Sequence, residues 1–205
     1  MPMRAQNLQR FIGAAARAFA ERAAGEQSQR TVAESFAILA RSQDARTGGA
    51  ARLAVCDRHL SKATDLSHFH DTDLADLAQA FLSIEPLLGW RPRAGGGPAA
   101  SANFGAGHAN AMIAGPGGLE PRTDVWLGAS LLGPKVRYPD HHHPPEEVYL
   151  VMSPGEFSQR EGPWFEPGIG GSFYNPPGIV HAMRSGAQPL FAFWLLLPSK
   201  AEDVE

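Results

Sequence analysis

From about residue 100 onward the chain cannot hold a long helix, because Gly and Pro divide it into short apolar runs. These occupy residues 110–114, 125–130, 136–138, 147–152, 172–175, 180–184 and 190–197. Runs of three to eight residues with turn signals between them read as strands, and seven in succession predict an all-β sandwich or barrel. No internal repeat or low-complexity tract is present.

The first ninety residues have a different texture. Leu8, Phe11, Ile12, Ala15 and Phe19 recur at three-and-four spacing, which predicts an amphipathic helix whose stripe needs a partner surface. Thr31 and Glu34 have the spacing of a capping box, which would start a second helix carrying Val32, Phe36, Leu39 and Ala40. A third helix is expected from Asp71 or Asp73, presenting Leu74, Leu77, Phe81, Ile84 and Leu88, with Pro86 ending or kinking it. The stretch 91–100 holds Pro92, Gly95, Gly96, Gly97 and Pro98 but no Lys-Ser/Thr pair, so it is a connector and not a phosphate loop. The expected division is therefore a helical region, 1–92, and a β region, 93–205, with the barrel proper spanning about 100–198.

Chemistry-bearing residues concentrate in two segments of the β half. The first is His141-His142-His143-Pro-Pro-Glu146-Glu147-Val148-Tyr149; the second is Asn175-Pro176-Pro177-Gly178-Ile-Val-His181. In a strand running through 143–151, side chains alternate faces, so His143, Glu147, Tyr149 and Val151 share one face and Val148 and Leu150 the other. A second strand from His181 would bring another imidazole to the same centre. Imidazoles, a carboxylate and a phenol suit one divalent transition metal ion, and Zn, Fe, Mn, Ni and Co all fit such a set. His142 and Glu146 have the opposite parity and are expected to face outward, Glu146 in a surface contact. His68 and His70 lack partners for a site and are read as surface or hinge residues; His59 and His108 are left unassigned.

Composition narrows the classes. Of 205 residues 43% are hydrophobic, enough for a core, and the net charge of -3 argues against a nucleic-acid partner. Residues 11–20 are interrupted by Arg17 and read as a helix, neither signal peptide nor membrane span. Cys56 is the single cysteine, which excludes an intramolecular disulfide and fits a reducing, cytoplasmic setting. The face carrying Val148 and Leu150 calls for cover, either by the N-terminal helices or by a second copy in a homodimer.

The two segments resemble the motifs of the cupin superfamily, a double-stranded β-helix or jelly-roll barrel. Gly133, His141, His143, Glu147 and Gly155 match the first motif, with a longer opening interval than usual. Gly170, Pro176, Gly178 and His181 match the second, with Ser185 where Asn is common. Over about 103–197, the runs 138–149, 164–168, 174–178 and 181–186 are more narrowly similar to the cupin-type dimethylsulfoniopropionate lyases, closest to the Q-type, as is the helical N-terminal extension. The resemblance implies a mainly β fold with the helices packed on the barrel. It also implies metal ligands His143, Glu147, Tyr149 and His181, Tyr138 and His141 beside the substrate, and cleavage of that small-molecule substrate to acrylate and dimethyl sulfide.

Such an elimination needs a base. A phenol serves only as phenolate, and an ordinary phenol titrates at about 10, so proximity to a dication is required. Tyr149 is the first candidate and Tyr138 the second, while His141 is either a third imidazole ligand or a donor that orients Tyr138 or the substrate. Trp126, Phe173, Tyr174, Phe193 and Trp194 lie on expected strands, and alternation sends about half of them inward, where aromatic faces would meet a sulfonium. Two rival readings remain open: another metal-dependent cupin reaction, such as a small-molecule dioxygenase or isomerase, and a cupin that binds a small ligand without turnover.

Overall fold

A computed structural model describes residues 4–44, 51–97 and 99–198; Pro98 of the connector lies outside them. Four helices come first: α1 (Gln6–Arg22), α2 (Glu26–Leu39), α3 (Ala54–Ala63) and α4 (Thr72–Ile84). The stripe of α1 is buried as its spacing predicts, with Leu8, Phe11, Ile12, Ala15 and Phe19 all inside. The expected capping box is not formed. Thr31 lies in the second turn of α2, where its hydroxyl donates to the carbonyl of Gln27 at 2.8 Å. Gly25 precedes the helix instead, at φ +82°, a conformation that favours glycine. Asp71 precedes α4, which stops at Ile84, and Pro86 falls in the 3-10 turn Glu85–Leu87 that follows. The sequence reading missed α3, whose buried residues Val55, Cys56, Leu60 and Ala63 make too narrow a stripe to stand out among Asp57, Arg58 and Lys62.

Among the described residues a one-turn helix, Phe104–Gly107, and nine antiparallel strands follow: β1 (Trp90–Arg91), β2 (His108–Ala114), β3 (Trp126–Leu132), β4 (Arg137–His141), β5 (Glu146–Val151), β6 (Glu156–Gln159), β7 (Ser172–Asn175), β8 (His181–Arg184) and β9 (Leu190–Leu197). They make two sheets, one in the order β1-β2-β3-β9-β5-β7 and one in the order β4-β8-β6. All seven expected strands are there. The two unforeseen ones are β1, of two residues, and β6, whose one large apolar residue is Phe157.

Strand alternation creates two cores. Between the sheets lie Leu132, Val136, Tyr138, Tyr149, Val151, Phe157, Met183, Leu190 and Ala192. On the other face of the larger sheet, Ala129, Leu131, Val148, Leu150, Phe191, Phe193 and Leu195 pack against the helices. Phe81 of α4 is the hinge of this contact, with ring centroids 5.1 Å from Phe191, 5.2 Å from Phe193 and 6.2 Å from Phe11. Burying each such ring contributes about 1.5–3 kcal/mol. Val148 and Leu150 are thus covered by the chain's own helices, and that face needs no second copy.

A buried ion cluster ties the first residues to the barrel. Glu120, fully inaccessible, bonds Arg4 and Arg122, which also donate to the carbonyls of Leu39 (from Arg4) and of Ile38 and Arg41 (from Arg122) at the end of α2. Two guanidiniums supply donors where the helix runs out of them.

Candidate metal centre

The two His-bearing segments meet between the sheets. His143 sits in the turn from β4 to β5, Glu147 and Tyr149 on the inward face of β5, and His181 opens β8. The Pro-Pro-Gly turn closes on the first segment through Gly178, at φ +72°, whose N–H donates to the carbonyl of His143 at 2.9 Å. Turn chemistry in one segment therefore fixes the backbone of the other.

One ligand atom each from His143, Glu147 and His181 lie within 4.8 Å of one another. The imidazoles are held in a defined sense. His143 Nδ1 lies 2.9 Å from the carbonyl of Pro145 and His181 Nδ1 lies 3.0 Å from that of Ile179. A carbonyl only accepts, so each Nδ1 carries a proton and each Nε2 is the atom left to face the site, with a lone pair for a metal ion whenever the ring is neutral. Those Nε2 atoms are buried without a hydrogen-bond donor, 3.4 and 3.2 Å from the Glu147 carboxylate. Two Nε2 atoms this close to an anion need positive charge between them, a proton on a ring or a metal ion. The residues present therefore fit a dication.

Electrostatics agree. Burial by itself would raise the Glu147 carboxyl, but His143 and His181 outweigh it and hold the group well below the usual carboxylate range. His143 is raised in spite of its burial because Glu147 faces it. The charge that favours a proton there favours a metal ion equally, and binding one would release that proton.

Asn175, which the sequence reading treated as part of the turn, orients the carboxylate. It is fully buried, opposite Glu147 in the β5–β7 register, and donates from Nδ2 to Glu147 Oε2 at 2.9 Å. Gln159 fixes the amide in turn by donating to its Oδ1 at 2.6 Å. The signal was available in the pairing of strands, which a single sequence does not reveal.

Tyr149 is buried two residues beyond Glu147, stacked on Phe173 at 5.1 Å and 6.3 Å from the His181 ring. Burial, followed by the negative charge of Glu147, pushes its phenol well above the ordinary value. Tyr138 is also raised by burial, against the opposing influence of Asn110 and Arg93. His141 pairs with His181 across β4 and β8 and its ring lies 4.1 Å from that of His181, yet it stands outside the close triad. Burial, then the neighbouring His181, pushes its pKa down to about 3, so it is neutral at physiological pH.

The other histidines follow their readings: His142, His68 and His70 are exposed. His108 is buried and stacked on Phe104 at 3.8 Å, accepting from the Arg93 N–H at 2.8 Å. Glu146 faces away from Glu147 as expected but is no surface contact. It is buried, bonded by Arg30 at 2.8 Å and by the Tyr174 hydroxyl at 2.6 Å. Ser185, in the place where the second motif more often has Asn, donates to the carbonyl of Gly133 at 2.6 Å and accepts from the N–H of Val136 at 2.9 Å. It locks the β3–β4 turn and leaves the ligands undisturbed.

Two facing antiparallel sheets with a His, Glu, His triad between them define a cupin barrel with a candidate metal site. Residues 27–192 match the model of the dimethylsulfoniopropionate lyase family, and the chain belongs to that family. It is accordingly a carbon–sulfur lyase. A chain from the crystal structures of the DMSP lyases RdDddP and RnDddQII superposes with a TM-score of 0.69 at 21% identity, covering 96% of this chain and 95% of that one. DMSP lyase DddQ from Ruegeria pomeroyi DSS-3 gives 0.61 at 23%, covering 86% and 93%. At these identities the superpositions speak for the fold, helical region included. No curated protein sequence matches the chain. Among the described residues, no helix is long and apolar enough to cross a membrane.

Proposed function

We propose that this chain cleaves dimethylsulfoniopropionate to acrylate and dimethyl sulfide by a metal-dependent β-elimination in which Tyr149 is the base. The observation that carries the reading is the pair of buried, unpartnered Nε2 atoms facing Glu147, with Tyr149 next along the same strand face. In this reading residues 93–205 carry the chemistry and residues 1–92 cover the barrel.

His143, Glu147 and His181 would hold one divalent ion of the Zn, Fe, Mn, Ni or Co type, with Tyr149 as fourth ligand or close neighbour. When bound, such an ion supplies Lewis-acid stabilisation of charge developing on the substrate carboxylate and lowers the pKa of a nearby phenol. Tyr149 takes the proton from the carbon next to the carboxylate. The C–H electron pair becomes the double bond of acrylate, and the C–S bond breaks with its electrons going to sulfur. Dimethyl sulfide leaves neutral and needs no acid.

The surroundings of Tyr149 suit that substrate. Phe173, Phe157 and Phe165 form a contiguous wall, with centroid separations of 4.8 Å and 5.2 Å from Phe173 to the other two, and aromatic faces attract an onium group. Tyr138 and His141 lie 4.9 Å apart ring to ring, with His141 4.1 Å from the His181 ring, and serve substrate placement.

An isotope experiment tests the reaction class. Substrate deuterated on the carbon next to the carboxylate should react more slowly, with acrylate and dimethyl sulfide appearing in equal amounts. Turnover without an isotope effect, or a hydroxylated or oxidised product, would remove proton abstraction by Tyr149 from the account.

A further inference from the structure

On the interior face of the larger sheet, among apolar neighbours, three polar side chains form a row that leads to Tyr138. The Trp194 indole N–H donates to Ser130 Oγ at 3.0 Å, Ser130 donates to Asn110 Oδ1 at 2.7 Å, and Asn110 Nδ2 donates to the Tyr138 hydroxyl oxygen at 3.2 Å. The row crosses β9, β3 and β2, where Ser130 stands directly opposite Asn110.

Its direction follows from covalent chemistry. An indole N–H can only donate, so Ser130 receives and its one proton passes on to Asn110. The carboxamide must then turn its oxygen to Ser130 and its NH2 to Tyr138. The Tyr138 oxygen thus accepts a hydrogen bond at its back while its own proton is left for the interior of the site, 4.9 Å ring to ring from His141.

Two features argue that the row is built for this end. Gly128 is the register partner of Trp194, and a Cβ there would meet the indole ring carbons at 2.2 and 2.3 Å, so the seat of the indole depends on a missing side chain. Placing a buried Ser130 and partly buried Asn110 and Trp194 where Leu or Val would pack also costs stability unless their polar groups are satisfied, and the last link does this for the Asn110 amide through the phenol oxygen. The Tyr138 ring is separately fixed by Phe104 at 5.0 Å, His108 at 5.4 Å and the Arg93 guanidinium at 5.5 Å, so the row bears on the hydroxyl, which Arg93 also approaches, and not on the ring.

We propose that Asn110 and Ser130, anchored by Trp194, are positioning residues that hold the Tyr138 oxygen as an acceptor and direct its proton toward the substrate. This rests on the reading of Tyr138 as a residue facing the substrate. Asn110→Asp is nearly isosteric but presents only acceptors when ionised, so it withdraws the donor. Ser130→Ala breaks the row with less disturbance, and Ser130→Thr retains the hydroxyl.

The variants are compared in wild-type and Tyr138→Phe backgrounds, each metal-loaded and assayed for dimethyl sulfide release. Asn110→Asp should lower kcat at least about tenfold in wild type and less than about twofold in Tyr138→Phe, at unchanged metal content. Ser130→Ala should show the same pattern more weakly, and Ser130→Thr should restore activity. The chain has three tyrosines, so NMR of protein labelled at the tyrosine ring carbon bearing oxygen gives three signals. The one lost in Tyr138→Phe should move in Asn110→Asp and Ser130→Ala, while those of Tyr149 and Tyr174 stay. Equal losses in both backgrounds, or an unmoved Tyr138 signal, would overturn the proposal. Wild-type turnover in Tyr138→Phe would overturn the catalytic purpose of the row. If wild type itself releases no dimethyl sulfide, the lyase reading fails, and the NMR signal alone decides whether Asn110 sets the Tyr138 oxygen.

Discussion

His181 and Tyr149 are the residues on which the chemistry turns, and they should fail differently. His181→Ala removes one of two imidazole ligands from a site that otherwise offers Glu147 and His143, so both bound metal and turnover should be lost. Tyr149→Phe should keep metal, measured by elemental analysis, but lose at least the roughly hundredfold typical of a general base, with Tyr138→Phe the milder change. Wild-type activity should rise with pH as a phenol ionises, and that limb should disappear in Tyr149→Phe. His141 gives a stability prediction for the metal-free protein. Its folded pKa, about 3, lies below the ordinary value of 6.5, so the unfolded chain binds the proton more readily. Stability is then full above about pH 6.5 and falls as pH drops from there toward 3; denaturant titrations should show a flatter acid limb in His141→Asn. At this scale the triad was legible because parity and turn chemistry are local. Asn175, Asn110 and Arg93 were not, because their roles depend on which strands and loops lie side by side.

Helices and strands divide by how much local pattern each carries. Helix α1 and strands β2, β3, β5 and β9 announce themselves through stripes or dense apolar runs, whereas α3 and β6 are held by tertiary contact and have little pattern of their own. The capping box failed for a related reason. Spacing alone placed Thr31 at a helix start, while Gly25 and the buried face of Ser28, Thr31, Val32 and Ser35 set the start of α2 earlier. The joint between elements least visible in the sequence is the Arg4–Glu120–Arg122 cluster, which links residues 116 positions apart. Glu120→Ala should destabilise the fold by about 3–5 kcal/mol in chemical denaturation, since it strands the buried Arg4 guanidinium without a counter-charge and leaves Arg122 with Asp124 alone. A loss under about 1 kcal/mol would mean that the cluster is no clamp.

At the scale of the whole molecule, one sheet serves two cores: its inner face builds the site, and its outer face holds Phe191 and Phe193 against α1 and α4 while β5, with Val148 and Leu150, meets α2. The helical region is therefore part of the barrel's support, and residues 93–205 expressed alone should aggregate or fail to bind metal, as light scattering and elemental analysis would show. The alternation of sequence faces foretold both cores but left open what would cover the outer one, since an apolar stripe in a helix does not name its partner. The central claim is metal-dependent cleavage, and the measurement that addresses it most directly is dimethyl sulfide released from dimethylsulfoniopropionate by protein carrying one divalent ion per chain, after chelation, and after the ion is restored. Release that chelation abolishes and the restored ion recovers, and that His181→Ala never shows, is the predicted result; undiminished release from chelated, metal-free protein would contradict it.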